Sequence, residues 1–449
     1  MVQTSKGNFA YVDLFSGIGG FAAAFNSFGG TFIAGAEIDK DAAAAYLATF
    51  GHDPFGSVQD LAKRAHQLED FEVLAGGFPC QPFSKSGWQR GTSEERGVLF
   101  DFIEKIIEVK KPLVVLLENV RNLAGPKHLH EWNRIINTLR EHGYRVSRTP
   151  AEFSPHLLPL ELGGAPQHRV RLFITATLNP DADGRNSEEP PPAVTLKDFD
   201  DISWDIFRDL QIDEAAGPEY SISASEEACL LAWDEWLTYW RKAKLGKFPS
   251  FPLWTEYWMD ALPRDFATMP EWKKKIVMKN IAFFKDHRKF AHKWLRDNRI
   301  RENFTRSKGK FEWQAGEANS IWDCLIQFRP SGVRVKSPSY VPTLVALNQT
   351  PIVGKLKRRI TVREAAQLQG FPEVWVASLH QSHSATYKQL GNAVNTGVIA
   401  YVLRKHCERD ADLLQTSVQG RRLLSATKKA QGRPLIVFEN LGVSTKHPA

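Results

Sequence analysis

The sequence predicts an α/β fold: a doubly wound parallel sheet with helices on both faces, and a second, smaller domain set into the chain after it. Three observations carry this. Apolar, strand-like runs alternate with helix-like segments through the first 180 residues. A polar, proline-rich stretch, NPDADGRNSEEPPPA (179–193), then breaks the alternation and reads as a linker. Beyond it the composition changes, with ten of the thirteen tryptophans in 201–330. A chain of 449 residues also exceeds what one compact core usually holds.

The elements follow in order. FAYVDLFSGIGGFA (9–22) reads as a buried strand, a glycine turn and the start of a helix. GTFIAGAEID (30–39) is a second strand and DAAAAYLATF (41–50) the helix after it. FEVLAGGFPC (71–80) is a third strand entering a loop. LFDFIEKIIEVKK (99–111) has helical apolar spacing, and PLVVLLENV (112–120) is a fourth strand. EWNRIINTLREHGY (131–144) is an amphipathic helix stopped by Gly143, and RVRLFITAT (169–177) a late strand. In the second domain, Trp233, Trp236 and Trp240 fall on one helical stripe, which a packed local core explains better than base stacking. Helical periodicity returns at 361–371 and 387–406, and the tail after 407 is mixed and polar, with PLIVFENLG as a candidate added strand. The expected domains are 1–180, 181–355, a returning segment 356–406, and the tail 407–449.

Composition excludes several classes. With 43% hydrophobic and 24% charged residues the chain is globular, not disordered. No apolar run approaches the ~20 residues of a membrane helix, so no membrane association is expected. The N-terminus lacks a basic flank before a long apolar stretch, so no signal peptide is expected. The four cysteines (Cys80, Cys229, Cys324, Cys407) have no CxxC spacing, which argues against a metal site or disulfide framework and fits a reducing cytoplasm. The formal net charge is +7, and residues 271–310 alone hold fourteen Lys/Arg against four Asp/Glu. That concentration suggests an anionic partner met by one part of the molecule, although a solvated helical face would look the same.

Chemistry concentrates in the first third. Gly17-x-Gly19-x-x-Ala22 fits a dinucleotide-type turn between strand and helix, where glycines admit a ligand to the backbone. Glu37, twenty residues past Gly17, is placed to accept hydrogen bonds from ribose hydroxyls, and Asp60 from an adenine amine. These residues suit an adenosine-containing cofactor but do not separate a nicotinamide dinucleotide from S-adenosylmethionine. Cys80 follows the third strand between Pro79 and Pro82, at the sheet edge where such folds bind ligands. The fourth strand ends in Glu118-Asn119-Val120. A carboxyl closing so apolar a strand should have a raised pKa and serve as a proton donor. A nucleophile and a donor thus end neighbouring strands at one edge.

These motifs, in order, resemble the DNA cytosine-5 methyltransferases of the bacterial or phage restriction-modification type. DLFSGIGGF looks like the cofactor loop, GGFPCQPFS the cysteine motif and ENV the glutamate motif. QHRVRLF (167–173) is similar to the segment with two site arginines, Arg169 and Arg171, and RRITVREAAQLQGFP and YKQLGNAV to the C-terminal motifs. The resemblance covers about 1–180 and 325–406.

It implies a Rossmann-like S-adenosylmethionine-dependent methyltransferase sheet with an inserted target-recognition domain. Cys80 would attack cytosine C6, Glu118 would hold or protonate N3, and Arg169 and Arg171 would oppose charge near O2. Phe15, Gly17 and Gly19 would frame the cofactor's methionine and ribose, with Ile38, Leu61 and Leu99 on the adenine faces and Asn392 completing the pocket. Ser84 and Ser86 would sit on a loop closing over flipped-out DNA; the resemblance gives the recognition domain's position only, and within FRPSGVRVK (328–336) Arg334 is the candidate to reach base edges. The implied partner is double-stranded DNA, met by a cytoplasmic, nucleoid-associated monomer paired with a cognate restriction endonuclease. Three other readings stay open: an RNA cytosine methyltransferase on the same catalytic domain, a nicotinamide oxidoreductase, and a DNA-binding protein with an inactive methylase domain. The large insertion favours duplex DNA over RNA. Cys80, Glu118 and the basic segment would have no role in an oxidoreductase, and intact Cys80 and Glu118 argue against an inactive domain.

Overall fold

The structure is a computed structural model that describes residues 8–79, 93–179, 189–200, 202–345, 349–371, 375 and 381–429, with backbone alone at 93–98. The chain divides into two units. One comprises 1–204, 209–211 and 365–449, and the other 205–208 and 212–364. The divisions therefore fall at 204/205 and 364/365, later than the 180 and 355 drawn from composition. Trp204 belongs with the first unit, where its indole donates to the His156 carbonyl at 2.7 Å.

The first unit is built on one sheet of seven strands. They are β1 (Phe9–Leu14), β2 (Gly30–Ala36), β3 (Val73–Gly77), β4 (Val114–Val120), β5 (Tyr144–Val146), β6 (Ala151–Phe153) and β7 (Arg171–Leu178). Their order is β2-β1-β3-β4-β7-β5, with β6 also paired to β7. β2, β1, β3 and β4 run parallel. β7 is antiparallel to β4 and to both short strands, so the sheet is mixed where a parallel one was expected. An apolar run fixes that a strand is buried, not which way it points.

The flanking helices include α1 (Gly20–Ser27), α2 (Lys40–Phe50), α3 (Val58–Lys63), α4 (Ser93–Lys110) and α5 (Leu129–Glu141). Asp39 caps α2 by accepting from the amides of Asp41 and Ala42. α5 buries Trp132, Ile135, Ile136 and Leu139 as one stripe. The segment 387–406, one helical run by periodicity, is two helices, His383–Asn392 and Thr396–Arg409, with Ala393 extended between them.

The region after 407 is no loose tail as far as residue 429. Helix Val418–Lys429 buries Leu423 and Leu424 in the same core as Phe25, Cys407 and Leu414. Helix Thr396–Arg409 is also tied to β7 by a buried polar cluster: Thr177 Oγ1 donates to Asp410 at 2.7 Å and lies 2.9 Å from His406 Nε2. Burial pushes the His406 imidazole down to about 3. The stretch PLIVFENLG lies outside the described residues.

The second unit has a six-stranded sheet of β8 (Leu253–Trp254), β9 (Lys310–Gln314), β10 (Leu325–Arg329), β11 (Gly332–Lys336), β12 (Ile352–Val353) and β13 (Arg358–Arg359). Their order is β13-β12-β10-β11-β9-β8. Trp233 and Trp236 are fully buried on helix Ala224–Lys242, and Trp233 stacks on Phe311 at 4.7 Å. The stripe is core, as the packing reading held. The basic segment forms helices Glu271–Asp286 and Arg288–Asp297, with Lys275, Lys279, Lys285, Lys289 and Lys293 exposed.

Candidate active site

The carboxyl ends of β1 to β4 open onto one cavity of about 520 Å³ in the first unit. Its floor is the turn after β1. Phe15 there has φ +53, a left-handed conformation costing a bulky residue about 1–3 kcal/mol. Gly17 follows at φ +53, and both residues line the cavity. Gly19, at φ +88, does not: a Cβ there would lie 2.1 Å from the Phe50 ring, so its role is close packing of α1 on α2.

Glu37 follows β2 and is fixed at both ends. Its backbone N–H donates to Pro54 O and its carbonyl accepts from Gly56 N, each at 2.9 Å. Its carboxylate accepts from Gly17 N at 2.8 Å and Asp39 N at 2.7 Å. A carboxylate held by two amides is preorganised and keeps lone pairs for a ligand's hydroxyls. Ile38 beside it is 75% exposed on the cavity wall, and Leu99 faces it from α4. Such apolar surface suits a flat heteroaromatic ring.

Two residues expected here lie elsewhere. Asp60 is off the wall: it accepts from Ser57 Oγ at 2.7 Å, while Ser57 Oγ accepts from Asp60 N at 3.0 Å. That is a helix-start cap for α3, and the pattern Ser57-x-x-Asp60 signals it in the sequence. Leu61 is buried in the core against α4. Ser57, Val58 and Gln59 form that part of the wall instead.

The other end of the cavity is formed by β3, β4 and β7. Gly77 pairs with Glu118 in register, and a Cβ at Gly77 would meet Glu118 Oε2 at 3.3 Å. Arg171 Nε lies 2.9 Å from Glu118 Oε1. Burial raises the Glu118 carboxyl above its ordinary value, outweighing the lowering by Arg171 and Arg169. Asn119, whose part the sequence did not disclose, donates from Nδ2 to Phe78 O at 3.1 Å and ties the end of β4 to the loop after β3.

Pro79 is the last described residue of that loop, so Cys80, Ser84 and Ser86 lie outside the described residues. The other three cysteines are buried, each thiol pushed up to about 12 by burial, and are unsuited to nucleophilic chemistry.

Arg169 lines the cavity, but its Nη2 donates to the carbonyls of Gly391 (2.9 Å) and Ala393 (2.7 Å). It straps the break between the two C-terminal helices, where Asn392 meets the cavity. In the second unit, Arg334 is paired through Nε and Nη2 with Glu312, both contacts at 3.1 Å. Among the described residues no group of three or more His, Cys, Asp or Glu could hold a metal ion, and no helix is long and apolar enough to cross a membrane.

Comparison with known proteins gives the family. The family model for C-5 cytosine-specific DNA methylases matches residues 9–408. The chain is 39% identical to the Type II methyltransferase M.AluI of Cellulosimicrobium cellulans, over 94% of this chain and 96% of that one. It is 26% identical to the Type II methyltransferase M.BanI of Aneurinibacillus aneurinilyticus, over 91% and 96%. Among solved structures it is similar to the Entamoeba histolytica methyltransferase EhMeth, at 16% identity and TM-score 0.47, over 91% of this chain and 99% of that one. With a family model spanning nearly the whole chain and a relative alike from end to end, this chain belongs to the C-5 cytosine-specific DNA methylases.

Proposed function

We propose that this chain transfers a methyl group from S-adenosylmethionine to C5 of a flipped-out cytosine in duplex DNA, through a covalent bond between Cys80 and C6. The carrying observation is the buried Glu118–Arg171 pair on the wall of the cavity that also holds the amide-fixed Glu37.

The residues suit the cofactor. Glu37 offers acceptor lone pairs for ribose hydroxyls, Phe15 and Gly17 frame the methionine and ribose, Ile38 and Leu99 offer apolar faces for adenine, and about 520 Å³ is ample for such a ligand. Ser57, Gln59 and Asn392 supply polar groups on the cavity wall. When bound, S-adenosylmethionine supplies an electrophilic methyl group.

Cytosine C5 is a poor nucleophile until the ring's aromaticity is broken. Addition of the Cys80 thiolate to C6 does this and makes C5 enamine-like. Glu118, whose hold on a proton burial strengthens, donates to N3 and drains the negative charge that develops. Arg171 fixes the Glu118 carboxyl and adds positive potential at the same place. After methylation, loss of the C5 proton and expulsion of Cys80 restore the ring. A base inside a duplex is out of reach of such a cavity, so it must be extruded. The exposed lysines of helices Glu271–Asp286 and Arg288–Asp297 would neutralise phosphates. Likeness to Type II methyltransferases supports a place in restriction–modification, opposite a cognate endonuclease.

The test is a duplex carrying 5-fluorocytosine at the target, whose fluorine cannot leave as a proton. The expected result is a denaturation-resistant protein–DNA adduct that needs S-adenosylmethionine and is lost in Cys80→Ser. Normal methylation of ordinary DNA without any trapped adduct would overturn the covalent route. Methyl incorporation into tRNA but not duplex DNA would overturn the substrate.

A further inference from the structure

The second unit carries a charged cluster that the chemistry above does not use. β10 and β11 form a hairpin closed by Pro330 and Ser331, with Arg329 opposite Gly332. β9 lies parallel along β11. Gly332 has φ +136, and a Cβ there would meet Lys310 Cβ at 2.8 Å, so the strands approach closely at the tip. One face of these strands is apolar: Phe311, Trp313, Ile326, Val333 and Val335 are buried in the unit's core. Alternation puts Glu312, Gln327 and Arg334 on the other face. They stand in register across three strands, Gln327 beside Arg334 and Arg334 beside Glu312.

The Glu312 carboxylate is fully engaged. It accepts from Arg334 Nε and Nη2 at 3.1 Å each, from Arg329 Nη2 at 3.3 Å, and from the Gln314 amide. One negative charge thus orients two guanidinium groups, and the cluster keeps a net positive charge. Arg334 remains 27% exposed in its side chain. With Nε and one edge of Nη2 turned to Glu312, Nη1 and the outer hydrogen of Nη2 form a free fork; among the described residues Nη1 has no partner.

A planar two-donor fork held on a β-hairpin matches the paired acceptors O6 and N7 that guanine presents in the major groove, which is wide enough for a two-stranded ribbon. We infer that Arg334 reads a guanine of the target sequence and that Glu312 is its positioning residue. This rests on the duplex-DNA reading above. A phosphate offers the same fork acceptors, but a phosphate contact carries no base preference.

The experiment begins by finding the target through bisulfite sequencing of DNA from cells expressing the full chain. Duplexes are then made in which each guanine of that target, on either strand, is replaced in turn by 7-deazaguanine, which lacks the N7 acceptor. Methyl transfer from labelled S-adenosylmethionine is measured as kcat/KM for the wild type, Arg334→Ala and Glu312→Gln. For the wild type, one guanine is expected to be sensitive, with a loss of about 10-fold or more. In Arg334→Ala that sensitivity should vanish while sensitivity at any other position persists, and Glu312→Gln should weaken it. An unchanged pattern of sensitive guanines in Arg334→Ala, or a uniform loss on every duplex without change of pattern, would overturn the assignment.

Should Arg334→Ala transfer too slowly to measure, equilibrium binding to the same duplexes gives the same comparison, and circular dichroism reports whether the variant is folded. Should it be unfolded, Arg334→Lys and Glu312→Gln decide: a single-point cation cannot reproduce a fork, so Arg334→Lys must lose discrimination at the one position and Glu312→Gln must weaken it. Failure of the wild type to methylate any duplex would instead overturn the substrate reading.

Discussion

Arg171 Nε sits 2.9 Å from the Glu118 carboxyl, yet burial still holds that carboxyl above its ordinary value. Desolvation disfavours the ionised form, and the two arginines offset that only in part. The pair is therefore poised as a proton donor braced by a cation. Removing Arg171 deletes a lowering influence, so Arg171→Ala should move Glu118 further up.

The pH dependence follows with a definite sign. A carboxyl raised in the folded state contributes stability below its unfolded value and loses it as pH climbs through the folded value. Without Arg171 the ionised Glu118 keeps only the Arg169 charge to offset its burial, whereas the protonated form is not a charge. Arg171→Ala should accordingly destabilise the chain by up to about 3 kcal/mol at pH 8 and by clearly less at pH 5. Denaturant unfolding at the two pH values checks this, and an equal loss at both would contradict it. Glu118→Gln, which cannot deliver a proton, should lower kcat about 100-fold or more while leaving cofactor affinity unchanged in calorimetry.

Arg169 and Arg171 are two residues apart and both bear on the Glu118 charge, but their hydrogen bonds go to different partners. Arg171 engages Glu118, while Arg169 straps the carbonyls of Gly391 and Ala393. Arg169→Ala should free the helix break that brings Asn392 to the cavity. The expected outcome is a rise in KM for S-adenosylmethionine of about 10-fold, from loss of one or two charge-assisted hydrogen bonds. Arg169→Lys should recover part of it. A fall in kcat with KM unchanged would instead favour direct contact with the base.

Much of this site was legible because it rests on local rules. The buried run of β4 carries no charge until Glu118 near its end, so that residue stood out against an apolar strand. Glu37 and Gly17 were legible from their spacing, and a hydrogen bond now joins them. What escaped was in one case local, the Ser57-x-x-Asp60 cap, and otherwise depends on contacts that a linear pattern does not encode. Asp60 has the right chemistry for an adenine amine, but it starts α3 in a cap with Ser57 and lies off the cavity wall. The left-handed Phe15 gives no signal, because the residue type disfavours it. The break at Ala393 is held from afar by Arg169 and Gln369, which donate to the carbonyls of Ala393 and Leu390, and locally by Asn395, which caps the next helix.

Glu37 invites a separate measurement. Its carboxylate serves the Gly17 and Asp39 amides before any ligand arrives, so Glu37→Ala removes both a ligand acceptor and the clamp on the turn. Affinity for S-adenosylmethionine should fall about 10-fold or more, since hydrogen bonds to a charged group contribute about 1.5–3 kcal/mol each. Binding to duplex DNA without cofactor should change little, because the basic helices Glu271–Asp286 and Arg288–Asp297 belong to the other unit. Calorimetric titration with cofactor and fluorescence anisotropy with DNA separate the two. A loss confined to DNA binding would sink the ribose assignment.

Stability has its own sensitive point, away from the titrating groups. Gly397, in the first turn of helix Thr396–Arg409, packs so closely on the turn at Gly163 that a Cβ would lie 1.9 Å from the Gly163 carbonyl oxygen. Backbone cannot rotate aside as a side chain can, so the helix itself must shift. That helix buries Val398, Ile399, Val402 and Leu403 in the core beneath the sheet, and a shift disturbs all of them. Gly397→Ala should cost about 1–3 kcal/mol, as overpacking does, despite alanine's better helix propensity of about 1 kcal/mol. A lower denaturant midpoint with an unchanged slope would match this. A gain in stability would mean that the close approach at Gly163 is not maintained in solution.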